Sequence, residues 1–187
     1  MYPGDPGSGY PVSVGLRCFL GHGASGTSAS MAPFADGLRV RGVTASAIDL
    51  PRRRAEDALP AFHLVVPTGA DVVVGGHSYG GRVASLAAAE PDAPYAALVL
   101  FSYPLHPPGS PERTEPRIAH WPAIRCPVLL LSGESDPFAR IDLLRAAVPR
   151  LARAELVTYP RLGHTLKPVL DDALDRVAAF LLALPVA

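Results

Sequence analysis

Three residue types in this chain could together cleave an acyl bond: a serine held between glycines, and a carboxylate and a histidine further along. The serine lies in Gly76-His-Ser78-Tyr-Gly80, which follows the β-branched run Val72-Val-Val and leads into Val83-Ala-Ser-Leu-Ala-Ala-Ala. A G-x-S-x-G sequence between strand and helix makes a sharp elbow. Small neighbours let the two elements approach, and the serine takes a strained conformation that exposes its Oγ at the strand's carboxyl end. A serine hydroxyl is a poor nucleophile at neutral pH. It needs a base to take its proton and a buried acid to fix the base's tautomer and stabilise the imidazolium. Asp136, in Leu131-Ser-Gly-Glu-Ser-Asp-Pro-Phe138, and His164, in Pro160-Arg-Leu-Gly-His164, each follow an apolar run and fit those roles. Glu134, two residues earlier, is the competing acid. An Asp-Pro after a strand also makes an ordinary turn and a Gly-His an ordinary loop; their joint placement on successive strand ends is what carries the reading.

Acyl transfer develops an oxyanion, which backbone N–H groups already aimed at it stabilise by roughly 10²- to 10³-fold each. Two are available: the N–H of Tyr79, next after the nucleophile, and that of Ala24, in the loop Gly21-His-Gly-Ala-Ser-Gly26 after the first strand. The same loop is a literal G-x-G-x-x-G between strand and helix, with Asp49 closing the next strand, so it also satisfies the pattern of a dinucleotide site. That alternative leaves the elbow, Asp136 and His164 without a use. The expectation is therefore an oxyanion turn, with no binding of NAD or NADP.

The elements that must position these residues follow from apolar periodicity. Strands are expected within 12–20, 43–50, 71–75, 97–101, 127–133 and 154–159. Helices are expected over 30–41, from Tyr79 onward, over 140–151 and over 169–184, the last with Leu170, Leu174, Val177 and Leu181 along one face. Residues 54–66 have helical spacing but are interrupted by Pro60. Alternating strands and helices imply an α/β fold with a mainly parallel sheet and helices on both faces. Bringing the glycine loop beside the elbow requires strands one and three to be neighbours, hence six strands in the order 2-1-3-4-5-6. The proline-rich segment 103–121 is too long for a plain connector. It is expected to form a preformed wall of the acyl pocket, with Tyr103, Leu105 and His106 nearest Ser78. His77 and His120 are further candidates to line the site, while His63 reads as a helix-face residue.

The chain has 187 residues, 49% hydrophobic and 18% charged, enough to bury a substantial core. Residues 1–11 read as a loose Gly/Pro-rich lead-in and 12–187 as one domain. Lys+Arg and Asp+Glu both number 17, so no global field draws the protein to nucleic acid or to an anionic membrane. The run Arg52-Arg-Arg54, the one candidate for a local basic patch, reads as a solvated loop, with contact to a phosphate or carboxylate as the alternative. Two cysteines, Cys18 and Cys126, fit reduced, buried thiols better than a disulfide framework and cannot form a zinc site by themselves. Every apolar run ends well short of the ~18 residues that span a bilayer, and the amino terminus shows neither the basic nor the apolar region of a secretory signal. A cytoplasmic protein is expected.

From about residue 14 onward the chain resembles the small α/β-hydrolases of the dienelactone-hydrolase-like sort. Within them it is similar to the compact branch that includes the hydrolase-like domain of a chromatin acetyltransferase-complex subunit. The resemblance rests on His22-Gly-Ala24, Asp49-Leu-Pro51, Gly75-Gly-His-Ser-Tyr-Gly-Gly-Arg82, Tyr103-Pro-Leu-His-Pro-Pro-Gly109, Asp136-Pro-Phe138 and Gly163-His164. It implies a minimal α/β-hydrolase fold without a separate lid, Ser78 as nucleophile, Asp136 as acid and His164 as base, with no metal or cofactor. The activity it implies is a serine hydrolase of carboxylic esters, thioesters or lactones. Because some relatives in this branch act as scaffolds, a non-catalytic interaction protein on the same fold is the alternative. The oligomeric state and the acyl specificity are not legible.

Overall fold

A computed structural model describes residues 15–184. The expected lead-in, 1–11, lies outside the described residues. Six strands form one sheet: β1 (Arg17–Gly21), β2 (Thr44–Ile48), β3 (Val72–His77), β4 (Ala97–Phe101), β5 (Val128–Gly133) and β6 (Ala154–Tyr159). Their order is β2-β1-β3-β4-β5-β6 and every pairing is parallel, as the strand spacing and the need to join two loops required.

Parallel strands covered on both faces carry near-continuous apolar runs, and the central strands show why. Successive side chains alternate between two cores. Val72 and Val74 of β3, Leu98 and Leu100 of β4, and Val128 and Leu130 of β5 point to one face. There they meet α2 (Ala55–Val65) through Phe62, α3 (Tyr79–Ala88) through Val83 and Ala87, and α5 (Ile141–Ala147) through Leu144. Val73, Val99, Phe101, Leu129 and Leu131 point to the other. This face is covered by α1 (Ser28–Val40), through Phe34 and Leu38, and by α6 (Leu170–Leu182), through Leu174, Val177 and Leu181. Phe34 meets Phe101 edge to face at 5.0 Å.

The expected break at Pro60 does not occur: α2 runs through it. A proline removes one backbone donor, and the buried Ala58 and Phe62 on either side keep the helix against the sheet. Segment 103–121 is a chain of short turns, Pro111–Arg113 and Trp121–Ala123 in 3₁₀ form around the four-residue α4 (Glu115–Ile118). Among the described residues no helix is long and apolar enough to cross a membrane.

Candidate active site

The elbow is built where β3 ends and α3 begins. Ser78 has φ 52° and ψ −111°, a conformation a residue with a side chain holds only when its surroundings impose it. The imposition is visible in the backbone. Ser78 N–H donates to Phe101 O (2.9 Å), Gly80 N–H to His22 O (2.9 Å), and Arg82 N–H to Ser78 O (3.0 Å). Neither glycine of the elbow could carry a side chain. A Cβ on Gly76 would lie 2.3 Å from Gly21 O, and one on Gly80 would lie 2.2 Å from the same atom. The motif is therefore a packing requirement between β1 and α3, and its product is an exposed hydroxyl.

The structure brings Ser78, His164 and Asp136 together. Ser78 Oγ lies 2.9 Å from His164 Nε2, and His164 Nδ1 lies 2.8 Å from Asp136 Oδ2. The ionised carboxylate can only accept, so Nδ1 carries the proton and Nε2 is left to accept from the serine. Asp136 has a fully buried side chain whose other oxygen accepts from Phe138 N–H at 2.8 Å, whereas the His164 side chain keeps 23% exposure toward the cleft. The imidazole is held by ring contacts to Phe138 at 4.4 Å and His77 at 5.1 Å. The two loops bearing acid and base are pressed together at Gly133, where a Cβ would lie 2.2 Å from Leu162 O, and Ser135 N–H donates to that carbonyl at 2.9 Å. The competing acid faces elsewhere: Glu134 accepts from Arg145 and from Thr158 Oγ1.

His77 is a residue whose role the sequence did not disclose. Its Nε2–H donates to the backbone carbonyl of His164 (3.1 Å), which ties the base's loop to the elbow strand. Burial, the largest influence, holds its imidazole below the ordinary pKa, so it stays neutral at neutral pH. Its position next before the nucleophile was the available signal.

The glycine loop packs against this elbow. Ala24 and Tyr79 both line the cleft beside Ser78. Among the described residues, neither of their N–H groups donates to another protein group. His22 is buried and pins the loop: Nδ1 donates to Gly23 O at 2.7 Å and Nε2 accepts from Leu50 N–H at 3.0 Å. Asp49, the acid of the dinucleotide pattern, instead accepts from the N–H and Oγ of Ser28 at the start of α1, at 2.7 and 2.8 Å.

The expected wall residues are misplaced by one position. Tyr103, Leu105 and His106 are 2%, 0% and 3% exposed and turn inward. The Tyr103 ring packs on Trp121 at 5.2 Å and its hydroxyl donates to Arg117 O, Leu105 is in the core, and His106 Nε2 accepts from Arg140 N–H. The large apolar groups leave water, and the prolines beside them, Pro104, Pro107 and Pro108, face the cleft with Phe138. The cleft holds about 720 Å³, in the range of small-molecule sites. Arg53 and Arg54, expected in a solvated loop, stand on its rim.

A second serine–histidine pair lies on the inner side of α3. Ser85 Oγ is 2.8 Å from His120 Nε2, but it also donates its one proton to Arg82 O at 2.8 Å. His120 must then donate to Ser85, the reverse of what a base does. Burial, helped by the charge of Arg82, pushes the His120 pKa down to about 4.

Comparison with known proteins agrees with the architecture. A family model described as alpha/beta hydrolase domain matches residues 52–180. Among solved structures, a monoacylglycerol lipase of Paleococcus ferrophilus superposes with TM-score 0.76 at 15% identity, covering 89% of this chain and 94% of that one. An esterase 2 of Thermogutta terrifontis, phosphorylated by paraoxon, gives 0.73 at 20% identity over 94% and 85%. The thioesterase domain from the curacin biosynthetic pathway gives 0.70 at 15% identity over 91% and 92%. No protein of curated function matches the sequence. At these identities the likenesses concern the fold.

Proposed function

The chain belongs to the alpha/beta hydrolase domain family, and on that premise we propose that it is a serine hydrolase of carboxylic esters, thioesters or lactones. The observation that carries the reading is the continuous relay from Ser78 Oγ through His164 to the buried Asp136, at 2.9 and 2.8 Å. In this reading Ser78 Oγ attacks the acyl carbon while His164 Nε2 takes its proton, and Asp136 stabilises the imidazolium. The N–H groups of Tyr79 and Ala24 receive the oxyanion. His164 then returns the proton to the leaving alcohol or thiol, giving an acyl-Ser78 that water cleaves by the same route. The reading calls on no metal and no cofactor.

The lipase, esterase and thioesterase among the similar structures support an acyl substrate in general and do not choose between the three classes. Within the family we place the chain in the dienelactone-hydrolase-like compact branch. The motifs His22-Gly-Ala24, Gly75–Arg82 and Asp136-Pro-Phe138 support this, as does a cleft roofed only by the short turns of 103–121. Residues 12–187 are read as one domain, since six strands share one sheet. Cys18 and Cys126 are free and buried, which suits a reducing compartment such as the cytoplasm.

The test is stopped-flow hydrolysis of 4-nitrophenyl acetate. A burst of about one 4-nitrophenol per chain before the steady state is expected, the mark of an acyl-enzyme. Release no faster than in buffer would leave the fold as a scaffold.

A further inference from the structure

The protein is neutral overall, yet the cleft beside Ser78 is lined by five arginines, Arg53, Arg54, Arg82, Arg113 and Arg117, and by a single carboxylate, Glu56. They converge from three separate parts of the chain: the β2–α2 loop, the start of α3, and segment 103–121. Elsewhere on the surface arginines are commonly matched: Arg17 with Asp71, Arg39 with Asp36, Arg41 with Asp171 and Asp175, Arg140 with Asp142, Arg176 with Asp172. Around the cleft carboxylates run short. Among the described residues, Arg53, Arg113 and Arg117 have no carboxylate partner, and Glu56 serves both Arg82 and, at 3.8 Å, Arg54.

Arg82 carries a second, independent sign. One of its terminal nitrogens bonds Glu56, while the other, Nη1, is buried and has no hydrogen-bond partner. That donor is left unmade at a cost, so the guanidinium as a whole favours a nearby anion. Arg117 is crowded as well: burial first, and then the charges of Arg82 and Arg113, hold its guanidinium below the ordinary value. Like charges gathered this closely are relieved by a bound anion.

We propose that this half of the cleft is an anion site, and that the substrate hydrolysed at Ser78 is an ester or thioester whose remote end carries a phosphate or pyrophosphate. One bidentate arginine satisfies a carboxylate, whereas three guanidinia without a carboxylate partner among the described residues, only Arg117 of them bonded to a backbone carbonyl (Pro104 O), offer more donors than a single carboxylate can accept. The phosphate is held and not cleaved. Water adds across the acyl bond, giving the free acid and the phosphorylated alcohol or thiol, or the reverse partition where the phosphate sits on the acyl part. The substrate class rests on the hydrolase reading; the anion site does not.

Calorimetry of pyrophosphate against the Ser78→Ala protein tests the site without the nucleophile. Saturable binding is expected, weakened about tenfold or more by Arg113→Gln and by Arg117→Gln, each a loss of about 1.4 kcal/mol, and unchanged by Arg125→Gln beside the amino end of β5. No binding at about 10 mM, or tighter binding of glutarate than of pyrophosphate, would overturn the proposal. A kinetic arm compares butyryl thioesters of 4′-phosphopantetheine and of pantetheine. A preference in kcat/KM of about tenfold for the phosphorylated member, shrinking in Arg113→Gln, supports the substrate class, and equal turnover overturns it. Pyrophosphate binding with both thioesters and 4-nitrophenyl acetate untouched would overturn the hydrolase reading and leave the anion site standing.

Discussion

The molecule contains two serine–histidine pairs at almost the same distance, Ser78–His164 at 2.9 Å and Ser85–His120 at 2.8 Å, and their surroundings give them opposite chemistry. Ser78 stands outside the helix it precedes, on a backbone that exposes its hydroxyl. Ser85 is seven residues further on, inside α3, and fully buried. His164 has an acid behind it, so its free nitrogen accepts; His120 has none, and its nitrogen must donate to a serine whose proton is already committed to Arg82 O. A short contact between a hydroxyl and an imidazole is therefore not evidence of activation. The direction of the proton is, and that direction is set by what lies on the far side of the ring.

The comparison is broken most directly by exchanging which serine is removed. Ser78→Ala is expected to lower kcat for an activated ester by at least about 10⁴-fold, and Ser85→Ala to leave it within about twofold. Steady-state rates of both variants check this. Next in size is the acid: Asp136→Asn deprives His164 of the right tautomer and should cost roughly 10³- to 10⁴-fold, whereas Glu134→Gln, which only loosens Arg145 and Thr158, should cost little. The reverse ranking would mean the relay is wired through the other carboxylate.

A smaller effect is expected from the residue that holds the base in place. His77→Phe keeps the ring contact and loses the bond to His164 O, so kcat should fall roughly tenfold with KM little changed. His77→Gln retains a donor and should recover part of the loss, which a purely steric role would not allow.

The smallest expected effect is thermodynamic and belongs to the second pair. The folded state holds His120 near pKa 4 against an ordinary 6.5, so between those values the unfolded chain binds the extra proton. Stability contributed by the neutral ring is full above about pH 6.5 and is lost as pH falls toward about 4. Urea midpoints of wild type and His120→Gln, compared at the two ends of that range, should show the smaller acid-side loss in the variant.

The elbow, the strand order and the partners of Ser78 were legible because each follows from a local rule: small residues where strand and helix meet, β-branched runs in buried strands, polar residues just past strand ends. The wall of the cleft was not. Proximity to β4 in sequence suggested Tyr103, Leu105 and His106, but which side chains of an irregular segment face inward is decided by burial, and Trp121, eighteen residues from Tyr103, supplies the surface that Tyr103 packs on. The run Arg52-Arg-Arg54 was visible, but its convergence with the other arginines was not, for the same reason. Arg53, Arg82 and the pair Arg113 and Arg117 come from three separate parts of the chain, and overall neutrality hid a local excess that exists only once the fold closes.

Ser78 and not Ser85 is the activated serine, and covalent labelling distinguishes the two. The protein is treated with a fluorophosphonate, which reacts with a serine only where a base removes its proton and donors receive the phosphoryl oxygen, and the adduct is located by peptide mass spectrometry. One adduct per chain on Ser78, absent after His164→Ala, is the predicted result. An adduct on Ser85, or an unmodified Ser78 under conditions that label an active serine esterase, would contradict it.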